Sequence, residues 1–170
     1  MRENRKIDRA LAGAAVSLGA GLLLQDRPGY APERHDHRFM RLVEKCCTDL
    51  SGPEKVEFVY DGHGGGSSDF GDLTCVMPGV QFRAFGAVGT GHGTDYYVKD
   101  VEKACVRSAM AQVLAVNELL KDGAAAAEEI IAEYRPAFAS VADYLAFMDT
   151  LIFDREAVEY HSDGTVTVKV

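Results

Sequence analysis

Asp61-Gly62-His63-Gly64-Gly65-Gly66-Ser67-Ser68-Asp69-Phe70-Gly71-Asp72 and, further on, Gly89-Thr90-Gly91-His92-Gly93-Thr94-Asp95-Tyr96-Tyr97 are the stretches on which the fold class turns. Both are too rich in glycine to be regular structure. Before the first, Val56, Phe58 and Tyr60 fall on one side of an extended chain, and Val80 to Phe85 reads as a strand before the second. After the first, Asp69 to Leu73 suits a short helical turn. After the second, Asp100 caps the strongest helical pattern of the chain, in which Ala104, Cys105, Ser108, Ala109, Gln112 and Val113 lead on to Leu120. Strand, glycine loop and helix, twice over, predict an α/β layer structure with ligands at the strand ends.

Working outward, a first helix is expected from about Asn4 to Leu18 and a short strand at Leu22 to Gln25. Arg27-Pro28-Gly29-Tyr30-Ala31-Pro32 breaks the pattern as a connector. Asp36 can cap a second helix running to about Leu50, with Phe39, Leu42, Val43 and Cys46 on one face. Asp122-Gly123 suits a left-handed helix end, and a further helix from Ala124 to Arg135 stops at Pro136. A helix from Ala142 to Leu151 follows. A hairpin then turns at Ser162-Asp163-Gly164, between Val158 and Tyr160 on one side and Val166, Val168 and Val170 on the other. The expected division is 1–27 and 28–170, because a lone helix and strand cannot bury their own apolar faces.

Composition narrows the function. Of 170 residues, 47% are hydrophobic and 26% charged, enough for a packed core. The formal net charge is -8. Phosphate binding rests on clustered Lys and Arg, so nucleic acid is an unexpected partner. The four cysteines, Cys46, Cys47, Cys75 and Cys105, have no metal-binding spacing and read as reduced thiols in a cytoplasmic protein. Arg2, Arg5, Lys6 and Arg9 before the apolar run Ala10 to Leu24 resemble an export signal. Glu3, Asp8 and the lack of a small-x-small cleavage site count against that, and a bilayer span needs about 20 residues. No membrane association is expected.

Several chemistries compete for the glycine loops. Phosphate binding lacks the Walker spacing and the G-x-G-x-x-G pattern. His63-Gly64-Gly65-Gly66 suggests an esterase oxyanion loop, but the chain contains no G-x-S-x-G nucleophile elbow. His92 is a candidate metal ligand, although a lone loop histidine is more often a solvated or hydrogen-bonding group. Asp69, Asp72 and Asp95 can serve simply as helix and turn caps.

Gly66-Ser67-Ser68-Asp69-Phe70-Gly71-Asp72-Leu73, then Val76-Met77-Pro78-Gly79, then Gly91-His92-Gly93-Thr94-Asp95-Tyr96-Tyr97 together resemble the C-terminal half of metallopeptidase-20-type amidohydrolases. That group includes aminoacylases, hippurate hydrolases and aminobenzoyl-glutamate utilisation proteins. Asp8 to Ala15 and Pro28-Gly29-Tyr30 resemble the end of the family's lid, or dimerisation, domain and the return into its catalytic domain. The resemblance implies the C-terminal half of a zinc-peptidase-like catalytic domain, a central sheet flanked by helices, with residues 1–27 a remnant of the lid. It implies hydrolysis of an amide bond in an N-acyl amino acid or peptide-like substrate, by water activated between two divalent metals, zinc or manganese. His92 matches a metal ligand. Asp69, with Ser68, matches an acidic loop lining the site, and Gly91 and Gly93 let the backbone pass close to the metal. Gln81 departs from the family, whose members often carry His followed by Pro there. The other ligands and the general base belong to an N-terminal half, so the chain is expected to be inactive alone, and a separate N-terminal half or a second copy is an expected partner. A small module binding an anion without metal is the alternative.

Overall fold

The computed structural model describes residues 2–62 and 68–170 and separates into two units, 1–29 with 141–170, and 30–140. Helices and short antiparallel strands are mixed in both.

In the first unit, α1 (Arg2–Ser17) leads to β1 (Leu23–Asp26), close to the helix and strand expected there. β1 pairs antiparallel with β4 (Phe153–Glu156), in a register that sets Leu23 opposite Glu156 and Asp26 opposite Phe153. An ion pair between Arg27 and Asp154 (2.7 Å) holds the end of this ladder. Val141–Asp149 is α5, and β5 (Val158–Tyr160) with β6 (Val166–Val168) forms the expected hairpin. Ala157 ties the pieces together: its N–H donates to Leu22 O (2.7 Å), and its carbonyl accepts from Lys169 N (2.9 Å). Ala12, Leu24, Tyr144, Ala157 and Val158 are buried. The segment expected to end at Arg27 therefore shares its unit with the last thirty residues.

The second unit is built on α2 (His37–Ser51) and α4 (Ser108–Glu133). Asp36 caps α2, its carboxylate accepting from Arg38 N (3.0 Å) and Phe39 N (2.9 Å). Val43, Cys46 and Ala115 form the core, with Phe39, Leu42, Phe58, Val80, Phe82 and Leu114 packed around it. Inside α4 the backbone breaks at Lys121–Ala124, where Asp122, Gly123 and Ala124 all take positive φ, as the Asp122-Gly123 signal predicts. A π-helical turn, Glu102–Arg107, precedes α4. A five-residue α3 (Phe70–Thr74) and the two-residue strands β2 (Ala87–Val88) and β3 (Tyr97–Val98) complete the unit.

The strands expected at 56–60 and 80–85 do not form. Val56, Phe58 and Tyr60 keep the side predicted for them, half-buried while Glu57 and Val59 are exposed, and in the second segment Val80 and Phe82 are half-buried while Gln81 and Arg83 are exposed. Neither has a ladder partner among the described residues. Alternation decides which side of a chain is buried, whereas a strand also requires a neighbour to accept its hydrogen bonds. Among the described residues the strands form three two-stranded antiparallel sheets. No helix among the described residues is long and apolar enough to cross a membrane.

Candidate functional site

Thr90 to Tyr96 is the tip of the β2–β3 hairpin, so this loop joins two strands and does not lead directly from strand to helix. Gly93 N donates to Thr90 O (2.7 Å), closing a four-residue turn, and Tyr96 N donates to Gly93 O (3.3 Å). Asp95 braces the loop from inside: its carboxylate accepts from Thr90 N (3.2 Å) and Thr90 Oγ1 (3.4 Å). A Cβ at Gly93 would lie 2.5 Å from Asp95 Oδ1 and 2.9 Å from Thr90 O, so only glycine fits. Gly91 has open space beside it. Its role is therefore unrelated to crowding within the loop.

His92 occupies the third position of the turn with φ 63°, the left-handed conformation that a type II turn demands there. For a residue with a Cβ that conformation costs about 1–2 kcal/mol. The imidazole is exposed and makes no hydrogen bond or ion pair among the described residues. The Thr90–Gly93 hydrogen bond that closes the turn sets this backbone, and the imidazole itself adds no bond to it.

Ser68 and Asp69 lie at the start of α3. Ser68 Oγ accepts from Phe70 N (3.2 Å), while exposed Asp69 stands at the N-cap with no side-chain capping bond. Asp72 does different work: its carboxylate accepts from Ala31 N (2.7 Å) and anchors the connector that enters the unit. A Cβ on buried Gly71 would collide with the Ala31 carbonyl, which explains glycine there. His63 to Ser67, including the oxyanion-like His63-Gly64-Gly65-Gly66 stretch, lie outside the described residues.

Ser68 is thus brought beside Asp69, and Gly91, His92 and Gly93 share one turn. No hydrogen bond or ion pair joins the two sets among the described residues. Nor do the described residues contain a group of three or more His, Cys, Asp or Glu side chains able to hold a metal. A lone imidazole does not meet the need of a catalytic zinc for about three protein ligands. Burial pushes the thiols of Cys46, Cys47 and Cys75 up, which disfavours the thiolate form that metals bind.

No protein-family model, curated protein or solved structure matches the chain.

Asp95 was legible only as a turn cap. Its spacing of five residues from Thr90 is the signal for a brace across the loop, since a carboxylate reaches back over a closed turn to an amide.

Proposed function

We propose that this chain is the C-terminal portion of a two-metal amidohydrolase acting on N-acyl amino acid or peptide-like substrates, and that it is inactive alone. The observation that carries the reading is His92. An exposed histidine held on a braced turn, its ring making no hydrogen bond among the described residues, leaves both imidazole nitrogens open to a site that another polypeptide completes. Because the described residues do not make a metal site by themselves, no hydrolytic step is assigned to this chain. Pairing with a separate N-terminal half is the form of the reading that supplies the missing ligands and the base. An anion-binding role for this loop is disfavoured by its own hydrogen bonds: the amides of Thr90, Gly93 and Tyr96 are occupied, and a carboxylate sits among them.

The test has two arms. Purified chain with Mn²⁺ or Zn²⁺ is expected to release no amino acid from N-acyl amino acids, and turnover would overturn the claim of inactivity. Titration with paramagnetic Mn²⁺ is expected to broaden the NMR signals of the His92 imidazole before those of the other histidines, and His92→Gly, which keeps the turn, is expected to abolish that selective site. Equal broadening of all histidines would remove His92 as a ligand.

A further inference from the structure

The Thr90–Gly93 turn carries its glycine one place too early for the form it takes. A type II turn needs a positive φ at its third residue and is best served by glycine there. Here the third residue is His92, with φ 63°, while Gly91 stands at the second and stays outside the left-handed region. The mirror-image type II′ turn closes with the same hydrogen bond. It asks for a positive φ at the second residue, where this sequence has its glycine, and leaves the third in ordinary backbone. By backbone preference alone, Thr90-Gly91-His92-Gly93 suits type II′. The Thr90–Gly93 hydrogen bond holds the turn once its hand is chosen, and the hand itself needs a separate cause.

Asp95 is placed to supply it. A turn and its mirror image send the chain out with opposite twist, so a group that fixes the two ends relative to each other selects between them. The Asp95 carboxylate lies against both ends. It accepts from Thr90 N through both oxygens (3.3 and 3.2 Å) and from Thr90 Oγ1 (3.4 Å). At the other end its Oδ1 fills the space that a Cβ on Gly93 would need. Asp95 is in turn held from behind: its carbonyl oxygen lies 2.3 Å from where a Cβ on Gly89 would stand, an approach that only glycine permits. Among the described residues no other side chain bonds to residues 90–93.

We propose that Asp95 is a positioning residue: its carboxylate selects the type II form of the turn, and with it the direction in which His92 presents its imidazole. The metal that this imidazole would meet rests on the amidohydrolase reading, whereas the selection of the turn stands without it.

NMR reads the hand of the turn directly, because a positive φ brings a residue's amide proton close to its own Hα and gives a strong intraresidue NOE. His92 in the wild-type chain is expected to show one. Asp95→Ala is expected to reduce it to ordinary strength, and Asp95→Asn, which keeps an acceptor oxygen for Thr90, is expected to retain it. Adding Gly91→Pro to Asp95→Ala is expected to restore it. Proline's fixed negative φ suits the second residue of type II and forbids type II′, and a Cβ at Gly91 meets open space. In the Mn²⁺ titration, Asp95→Ala is expected to weaken the selective site at His92 about 10-fold, while Asp95→Asn leaves it unchanged. A weak His92 NOE in wild type, a strong one in Asp95→Ala, or failure of Gly91→Pro to restore it would overturn the proposal. So would an unchanged Mn²⁺ site in a variant whose turn has inverted. Equal broadening of all wild-type histidines would instead overturn the metal-ligand reading of His92, and the NOE series would still decide what selects the turn.

Discussion

Tyr60 shows how a single side chain reports its surroundings. Burial, followed by the hydrogen bond its hydroxyl donates to Glu44, pushes the phenol up to about 12. The folded state therefore holds this proton more tightly than the unfolded chain, whose tyrosine titrates near its ordinary value of about 10. The resulting stability is fully present below pH 10 and is lost as pH rises toward 12. Urea unfolding of wild type and Tyr60→Phe should differ by a constant amount up to about pH 10 and converge between pH 10 and 12; a gap that widens there would contradict the assignment. Other residue-scale features were only partly legible. His92 stands out in the sequence as a loop histidine between glycines, but its left-handed backbone follows from the Thr90–Gly93 hydrogen bond, which residue identities alone do not specify. Gly93 could be read as permissive, whereas its necessity comes from two oxygen atoms that a Cβ would strike.

At the scale of elements, α2 is the best determined piece. Its cap, its apolar face and its end at Gly52 all lie in neighbouring residues, so local chemistry sufficed to place it. Asp36 is buried and satisfies two amides of the first turn. Asp36→Ala is expected to lower the free energy of unfolding by about 1–2 kcal/mol, measured by urea denaturation, while Asp36→Asn should recover most of it. The β5–β6 hairpin and the break at Asp122-Gly123 were legible for the same local reason. Non-local pairing was not. The partner of β1 is β4, whose residues Phe153-Asp154-Arg155-Glu156 carry little strand signal and are extended because β1 lies beside them. The segments at 56–60 and 80–85 fail in the opposite sense: their residues alternate between half-buried and exposed, yet no neighbour among the described residues closes the ladder.

For the whole molecule, the fully buried apolar residues are few and small, while Phe85 (78% exposed), Val113 and Ile131 stand in solvent. A chain with so much apolar surface should enhance the fluorescence of the dye ANS under native conditions, with the enhancement lost on cooperative unfolding in urea. No enhancement before unfolding would contradict the exposed surface described above. The division into 1–29 with 141–170, and 30–140, was only half visible, because the Arg27-Pro28 break marks one crossing and Pro136 lies near the other, yet nothing local says that the two ends rejoin. That return has a temporal cost. β1 leaves the ribosome roughly 130 residues before β4, and at bacterial or eukaryotic elongation rates this is a delay on the order of ten seconds. Through that interval Leu22-Leu23-Leu24 waits without its partner strand while residues 30–140 emerge in full. The nascent chain thus carries an apolar, unpaired strand throughout the synthesis of residues 30–140.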